Sequence, residues 1–405
     1  MLAAPVSITQ TLRERLCLLR GYTPMLLGWL LFMAGIAIAA LMNEGTGLYT
    51  VAKYLALLFV LVCLVVISPL SPALLEKSLS VALVVSLIPL ILLALFRQLD
   101  AMVILGDGRM GWLASWPGVI WKIGAFVWPF AIWRCLRAPS FRNVLLAFCA
   151  VLTMALDGSR TSMLWLVLVW LTLAIIAAVT RANPKPVRTH ISLLFVTLFS
   201  FAAIQPVLLS WVSGHYDPLV VEFNEWRAKH NQESGNEVGT EESGNALIGN
   251  FMSNLGEAFA TPKDSTADRL LKGDNSTRLE MLQIGWKQTV DKFPWGAGFG
   301  STRVMDFGAS SVIHMTYLQL LADDGVLAFV GYLLFLLFPA YCGLKFVTEK
   351  RELFVERFEL LLCPLSALAL FLFMGCFHPL SNELTEWGIV LTAIAILVTH
   401  VPRRN

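Results

Sequence analysis

About ten long runs of apolar residues divide this sequence of 405 residues, and they constrain its fold more than any other feature. A helix needs roughly 20 apolar residues to cross the hydrocarbon core of a bilayer, because each residue adds only about 1.5 Å. The runs begin near Met25, Thr50, Ser78, Pro117, Asn143, Thr161, Ile191, His314, Phe358 and Trp387. The sequence therefore predicts an all-α polytopic membrane protein, a bundle of about ten transmembrane helices.

The composition excludes a water-soluble globular protein. Hydrophobic residues make up 57% of the chain and charged residues only 14%, so polar side chains are too few to cover its surface. The formal net charge of +2, without any block rich in Lys and Arg, argues against nucleic acid as a partner. Membrane lipids are the surroundings that this composition predicts.

The distribution of basic residues predicts the orientation of the bundle, because short loops rich in Lys and Arg are retained in the cytoplasm. Arg97 and Arg109 run against the bias without outnumbering the residues on the other side. We expect both termini to be cytoplasmic and the opposite face to be periplasmic, in the inner membrane of a Gram-negative bacterium. The residues predicted on the cytoplasmic side are Arg13, Arg15, Arg20, Lys77, Arg134, Arg137, Arg142, Arg181, Lys185, Arg188, Lys345, Lys350, Arg351, Arg357, Arg403 and Arg404.

A polar segment of about a hundred residues separates the apolar runs into two groups. We divide the chain into an N-terminal transmembrane bundle of about seven spans (1–212), a large periplasmic loop (213–313) and about three C-terminal transmembrane helices (314–405). Apolar residues recur at helical spacing over 219–226 and 248–259. This pattern predicts amphipathic helices that lie on the membrane surface or cap the bundle.

A third helix in the loop is indicated at Thr277, which forms a capping-box pattern with Glu280. Arg278 would then sit at the first helical position, where free backbone N–H groups favour an anion and a guanidinium adds bidentate phosphate geometry. An exposed arginine without a ligand fits the same pattern. The loop contains nine basic and fourteen acidic residues, so only individual arginines in a formed site could hold an anionic substrate: Arg160, Arg278 and Arg303.

Two elements follow the third helix. The stretch from Pro294 to Ser301 contains three glycines, which suit close backbone approach to a ligand, an N–H nest, or a tight turn that re-enters the membrane. His314 stands at the entrance of the next span, where an ionisable side chain is costly unless it is used. Arg160, in the turn that begins at Asp157, faces the same predicted compartment.

Three of these elements resemble motifs of the O-antigen ligase family, which belongs with O-antigen polymerases and bacterial O-oligosaccharyltransferases. They are the Gly-Ser-Arg turn that ends at Arg160, the Arg-x-x-x-Leu element from Arg278 beside the glycine-rich stretch, and the His-x10-Gly element from His314 to Gly325. The resemblance implies about twelve spans and a C-type glycosyltransferase fold. It also implies an undecaprenyl-diphosphate-linked glycan as donor and, for a ligase, a sugar hydroxyl of lipid A-core as acceptor.

The residues suggest a mechanism for such a transfer. The departing diphosphate gains negative charge, which Arg160 and Arg278, with Arg303 as a third candidate, would stabilise. A neutral imidazole titrates near the working pH, so His314 is the candidate base for the incoming hydroxyl. Direct attack would invert the anomeric centre. The histidines show no metal-ligand spacing, and we expect neither a metal nor a cofactor.

Other functions fit parts of the same pattern. An O-antigen polymerase or an O-oligosaccharyltransferase would use the same donor with another acceptor. A polysaccharide-lipid transporter would show inverted repeats and charges within its spans, and the sequence shows no clear repeat. A non-catalytic assembly scaffold would keep its role after His314 is replaced by Ala.

Overall fold

The computed structural model describes most of the two apolar parts of the chain and the C-terminal end of the polar segment. The seventh apolar run, from Ile191, and the predicted helices over 219–226 and 248–259 lie outside the described residues. The described residues are 14, 17–43, 48–67, 70–95, 102–104, 110–112, 120–138, 140–157, 159–180, 276–302, 304–306, 309–311, 313–381 and 383–401.

The described chain is mostly helical and contains two short hairpins. A π-helical segment (Leu320–Asp324) joins the helices Thr316–Gln319 and Gly325–Thr348, and a 3-10 turn (Arg351–Leu353) precedes the helix Phe354–Met374. The helices are α1 (Thr23–Met42), α2 (Leu48–Ile67), α3 (Pro72–Leu95), α4 (Ile120–Arg137), α5 (Phe141–Asp157), α6 (Arg160–Val179), α7 (Ser276–Asp291), α8 (Thr316–Gln319), α9 (Gly325–Thr348), α10 (Phe354–Met374) and α11 (Leu384–His400).

Each hairpin is a pair of three-residue antiparallel strands. In the first hairpin, β1 (Met102–Ile104) pairs with β2 (Met110–Trp112), and Met102 lies opposite Trp112. In the second, β3 (Val304–Asp306) pairs with β4 (Ala309–Ser311), just before the segment that contains His314.

The described helices confirm a helical, membrane-embedded protein. Five stretches of the described chain are long and apolar enough to cross a bilayer: Thr23–Met42, Tyr49–Val66, Arg160–Val179, Thr316–Thr348 and Arg351–Met374. A total of ten to twelve spans and the C-type fold remain predictions.

The outer faces of these helices are apolar as well. Leu30 on α1, Phe59 on α2 and Ile175 on α6 are 55%, 70% and 61% exposed. Water would disfavour so many large exposed apolar side chains, whereas lipid tails accept them. Prolines inside the helices, Pro129 among them, are also tolerated in membrane spans.

The chain forms two compact units. The first consists of Met1–Ser78 and Asn275–Asn405, and the second is Leu79–Asp274. This division reflects contacts between residues, while the boundaries near 212 and 313 reflect hydropathy, so those boundaries remain a prediction.

Close helix packing and an aromatic core hold the first unit together. A Cβ atom on Gly28 of α1 would lie 2.7 Å from the Phe335 nitrogen of α9, so these two helices approach through their backbones. The aromatic core is the set of five rings Trp29, Phe32, Tyr54, Tyr332 and Trp387, all of which are buried and lie within 6.5 Å of a neighbour, centroid to centroid.

Indole hydrogen bonds join the helices of the second unit. The Trp128 Nε1 atom of α4 donates to the Leu166 carbonyl of α6 at 3.2 Å. In return, the Trp165 Nε1 atom of α6 donates to the Ala125 carbonyl of α4 at 3.0 Å. These reciprocal bonds fix α4 against α6 and so position the start of α6, where Arg160 lies.

Candidate functional site

The structure places three of the four candidate residues. Arg278 is in α7 and His314 lies just before α8, both in the first unit. Arg160 is the first residue of α6 in the second unit. Arg303 lies outside the described residues. That Arg160 and His314 contact the same substrate stays a prediction.

The helix that contains Arg278 packs directly on the segment that contains His314. Met281 of α7 forms a buried cluster with Ile313 and Leu318, on either side of His314 along the chain. Gly285 allows this contact, because a Cβ atom there would overlap the Ile313 side chain. Arg278 precedes Met281 by three residues, slightly less than one helical turn. The predicted anion-binding helix and the predicted base therefore belong to one packed structure.

The residues after His314 are anchored to the turn between α10 and α11. The Thr316 N–H donates to the carbonyls of Gly375 and His378, both at 2.9 Å, and its hydroxyl also donates to His378 at 2.9 Å. The Gln319 side-chain oxygen accepts the Leu380 N–H at 2.8 Å. His314 itself is half-buried. These bonds fix the backbone beside its imidazole.

The glycine-rich stretch forms an N–H nest, and the nest binds the protein's own carboxylate. The Asp323 side chain accepts the N–H groups of Gly300 and Thr302, both at 3.0 Å, and the Ser301 hydroxyl at 2.9 Å. The Asp323 carbonyl accepts the Gly298 N–H at 2.7 Å. The stretch thus binds the π-helical segment, and we call this contact of residues 296–302 with Asp323 the latch. Its N–H groups bind the protein's own carboxylate instead of a ligand.

Two glycines make this latch possible. Gly296 and Gly325 have φ angles of 78° and 80°, which other residues rarely adopt. A Cβ atom on Gly325 would lie 2.6 Å from the Trp295 carbonyl carbon. A Cβ atom on Gly296 would lie 2.5 Å from the backbone carbonyl oxygen of Asp323. Gly325, the last residue of the His-x10-Gly element, is therefore needed where the glycine-rich stretch contacts the start of α9.

Arg160 lies at the start of α6 in the second unit, where other hydrogen bonds hold the backbone. Ser159 caps α6 in an extended conformation, and the Ser162 hydroxyl donates to the Ser159 carbonyl at 2.6 Å. Asp157, just before the turn, is fully buried and accepts the Trp121 N–H at 3.4 Å. Arg160 is half-buried at the start of a twenty-residue helix, where the dipole favours an anion.

The sequence analysis overlooked two residues of this site. Asp323 holds the latch, and Gln319 lies between the Leu380 N–H and the Asp323 carboxylate. The available signal was the pair of acids, Asp323 and Asp324, within an apolar run. Among the described residues, no three His, Cys, Asp or Glu side chains lie close enough to hold a metal ion.

No protein-family model, no curated protein and no solved structure matches the chain. The fold defines the class as a helical membrane protein. Membership of the O-antigen ligase family stays a prediction, which rests on the short motifs around Arg160, Arg278 and His314.

Proposed function

We propose that the protein is a glycosyltransferase of the O-antigen ligase type. It transfers O-antigen glycan from undecaprenyl diphosphate to a sugar hydroxyl of lipid A-core at the periplasmic face of the inner membrane. The observation that supports this proposal most is the packing of the Arg278 helix on the His314 segment. Two of the three motifs behind the family resemblance thereby become parts of one structure.

The reaction in this proposal is a single displacement. The acceptor oxygen forms a bond to the anomeric carbon as the bond to the diphosphate breaks, and the electron pair leaves with the diphosphate. His314 takes the proton of the hydroxyl, and Arg160, Arg278 and Arg303 stabilise the leaving charge. The displacement inverts the anomeric centre, and it requires neither a metal nor a cofactor.

The anchoring of the His314 segment suits a general base. A base is effective only where its ring is held within hydrogen-bonding reach of the hydroxyl. The Thr316 and Gln319 bonds restrict the backbone on the C-terminal side of the imidazole, and the buried Ile313 restricts it on the other.

Reconstitution of the transfer tests this function. The full chain in lipid nanodiscs is mixed with undecaprenyl-diphosphate glycan and lipid A-core, with and without EDTA. We expect the lipid A-core band to shift to higher mass equally in both samples. A shift of the lipid-linked glycan alone would identify a polymerase. No glycan transfer to any acceptor would contradict the proposal, and a strict need for a divalent ion would contradict the metal-free mechanism.

A polysaccharide-lipid transporter is the second candidate, and one feature of the structure favours it. The helix from α8 to α9 is interrupted by the π-helical segment, and Asp323, Asp324 and Glu386 are buried. Interrupted helices and buried acids occur in transporters. Movement of labelled lipid-linked glycan across proteoliposomes without transfer to lipid A-core would support this candidate.

A further inference from the structure

Helix α7 has an exposed apolar face that the proposed transfer mechanism does not use. Leu279, Trp286 and Val290 are 57%, 62% and 60% exposed, and we call these three residues the apolar face of α7. Because a helix turns by about 100° per residue, they share a sector roughly 40° wide. Phe293 and Trp295, just after the helix, are 66% and 49% exposed. Single exposed apolar residues are common, whereas several along one side of a helix indicate an interaction surface.

Another face of α7 fixes the helix beside the start of a membrane span. Met281 packs with Ile313 and Leu318 in a buried cluster. Leu318 is one of the first residues of the stretch Thr316–Thr348, which is long and apolar enough to cross a bilayer. Packed helix axes are about 8–10 Å apart, so α7 lies about one helix diameter from the point where the chain enters the membrane.

The composition of α7 suits the surface of a membrane and not its interior. The helix has 16 residues, and Glu280, Lys287 and Asp291 are exposed, so it is not among the described stretches that could cross a bilayer. Tryptophan is enriched where acyl chains meet headgroups, because its ring is apolar and its N–H group is polar. Amphipathic helices lie in this boundary with their apolar face buried about 5–10 Å deep.

We propose that α7 docks on the surface of the bilayer through its apolar face, with Trp286 at the level of the lipid headgroups. The partner is the lipid of the surrounding membrane, because α7 is fixed beside the start of a span and water disfavours this face. Docking holds the His314 segment, on which α7 packs, at a constant height relative to the headgroups. This inference does not rest on the proposed glycan transfer and applies to the protein whatever its function.

Quenching of a fluorophore from the lipid and from the water tests the docking. Val290→Cys, on the apolar face, is introduced into the full chain, labelled with NBD and placed in lipid nanodiscs. Asp291→Cys is the matched control, because the next residue along α7 is also exposed but points about 100° away. The background lacks the native cysteines that are not buried, which are Cys17, Cys63, Cys149 and Cys376.

The two labels should respond in opposite ways. We expect 5-doxyl phospholipid to quench the label at 290 about threefold more strongly than the label at 291, and aqueous iodide to show the reverse order. The proposal is overturned if the two labels respond alike to both quenchers. Protection of the label at 290 from both quenchers would also overturn it, because another part of the protein or a second copy would then cover the face.

A second variant removes the tryptophan without touching the buried side of α7. Trp286→Asp in the labelled Val290→Cys protein should reduce the lipid quenching to the level of the control label, because a carboxylate opposes insertion among acyl chains. Gln283→Asp, at another exposed position of α7, should leave the quenching unchanged. Both variants should keep the wild-type unfolding midpoint. Unchanged lipid quenching in monodisperse Trp286→Asp protein would overturn the role given to this residue.

The charge of the lipid separates apolar docking from electrostatic attraction. Three basic residues, Arg278, Lys287 and Lys292, are nearly balanced by Glu280 and Asp291. The quenching at 290 should therefore be equal in zwitterionic and anionic nanodiscs. Docking that occurs only with anionic lipid would contradict the apolar contact and indicate attraction by the basic residues instead.

Discussion

Two helix starts contain candidate residues, and the structure holds them in different ways. The segment from His314 into α8 is tied by hydrogen bonds to residues about sixty positions away, at Gly375, His378 and Leu380. The turn before α6 is held near Arg160 by a bond within three residues, from Ser162 to Ser159, and by the longer-range bond from the Trp121 N–H to Asp157. The comparison teaches that the residues of a motif are held in place by partners that the motif's own sequence does not show.

Loss of the candidate base should have the largest effect. His314→Ala removes the group that takes the hydroxyl proton, and we expect glycan transfer to fall by about 10²- to 10⁴-fold. The initial rate of lipid A-core modification in nanodiscs measures the effect. His400→Ala is the control, because His400 lies in the last turn of α11. Equal rates for the two variants would remove His314 from the mechanism.

Gly325→Ala should break the contact between the latch and the interrupted helix. The added Cβ atom meets the backbone at Trp295, and alanine disfavours a positive φ angle, so we expect a loss of about 4 kcal/mol in the free energy of unfolding. Gly388→Ala is its counterpart, because nothing lies within 4 Å of a Cβ atom there. Thermal unfolding in detergent compares the two, and similar midpoints would contradict the described packing.

Asp323→Ala should open the latch without adding bulk. The N–H groups of Gly300 and Thr302 lose their charged acceptor, so the free energy of unfolding should fall by about 3 kcal/mol. Hydrogen exchange of residues 296–302 should rise in the same variant. Asp291→Ala, at an exposed position, serves as control and should leave both measurements unchanged.

Ser162→Ala should have the smallest effect and so sharpens the comparison. It removes one short-range hydrogen bond at the start of α6, which is worth about 1 kcal/mol. The unfolding midpoint should therefore change less than in Asp323→Ala. A larger loss for Ser162→Ala would contradict the expectation that this one hydrogen bond stabilises the protein less than the bonds to the Asp323 carboxylate do.

The sequence predicted the helices well because their signal is local. Spans predicted to begin near Met25, Phe358 and Trp387 correspond to helices that begin at Thr23, Phe354 and Leu384. The small offsets arise because polar residues at a helix start are helical but not apolar, so hydropathy misses the first turn. The capping-box pattern was less exact: it placed Thr277 before the helix and Arg278 at the first helical position, whereas α7 begins at Ser276 and Arg278 is its third residue.

The interruption between α8 and α9 was not predicted, because it depends on distant partners. Apolar residues lie on both sides of Asp323 and Asp324, and the glycine-rich stretch that binds Asp323 explains why the helix changes there. The sequence also did not predict which face of α7 packs against the His314 segment. Leu279 and Trp286 form an apolar stripe, yet they are 57% and 62% exposed, while the smaller Gly285 is buried against Ile313.

Labelling with a membrane-impermeant maleimide tests the central idea that the candidate residues act on one face of the membrane. Cysteine replaces Arg160, Arg278 or His314 singly, in a background that retains only the exposed native Cys17 and Cys376. We predict that all three positions and Cys376 react in intact spheroplasts, and that Cys17 reacts only after permeabilisation. Reaction of any of the three only after permeabilisation would place it on the cytoplasmic face and contradict a shared substrate.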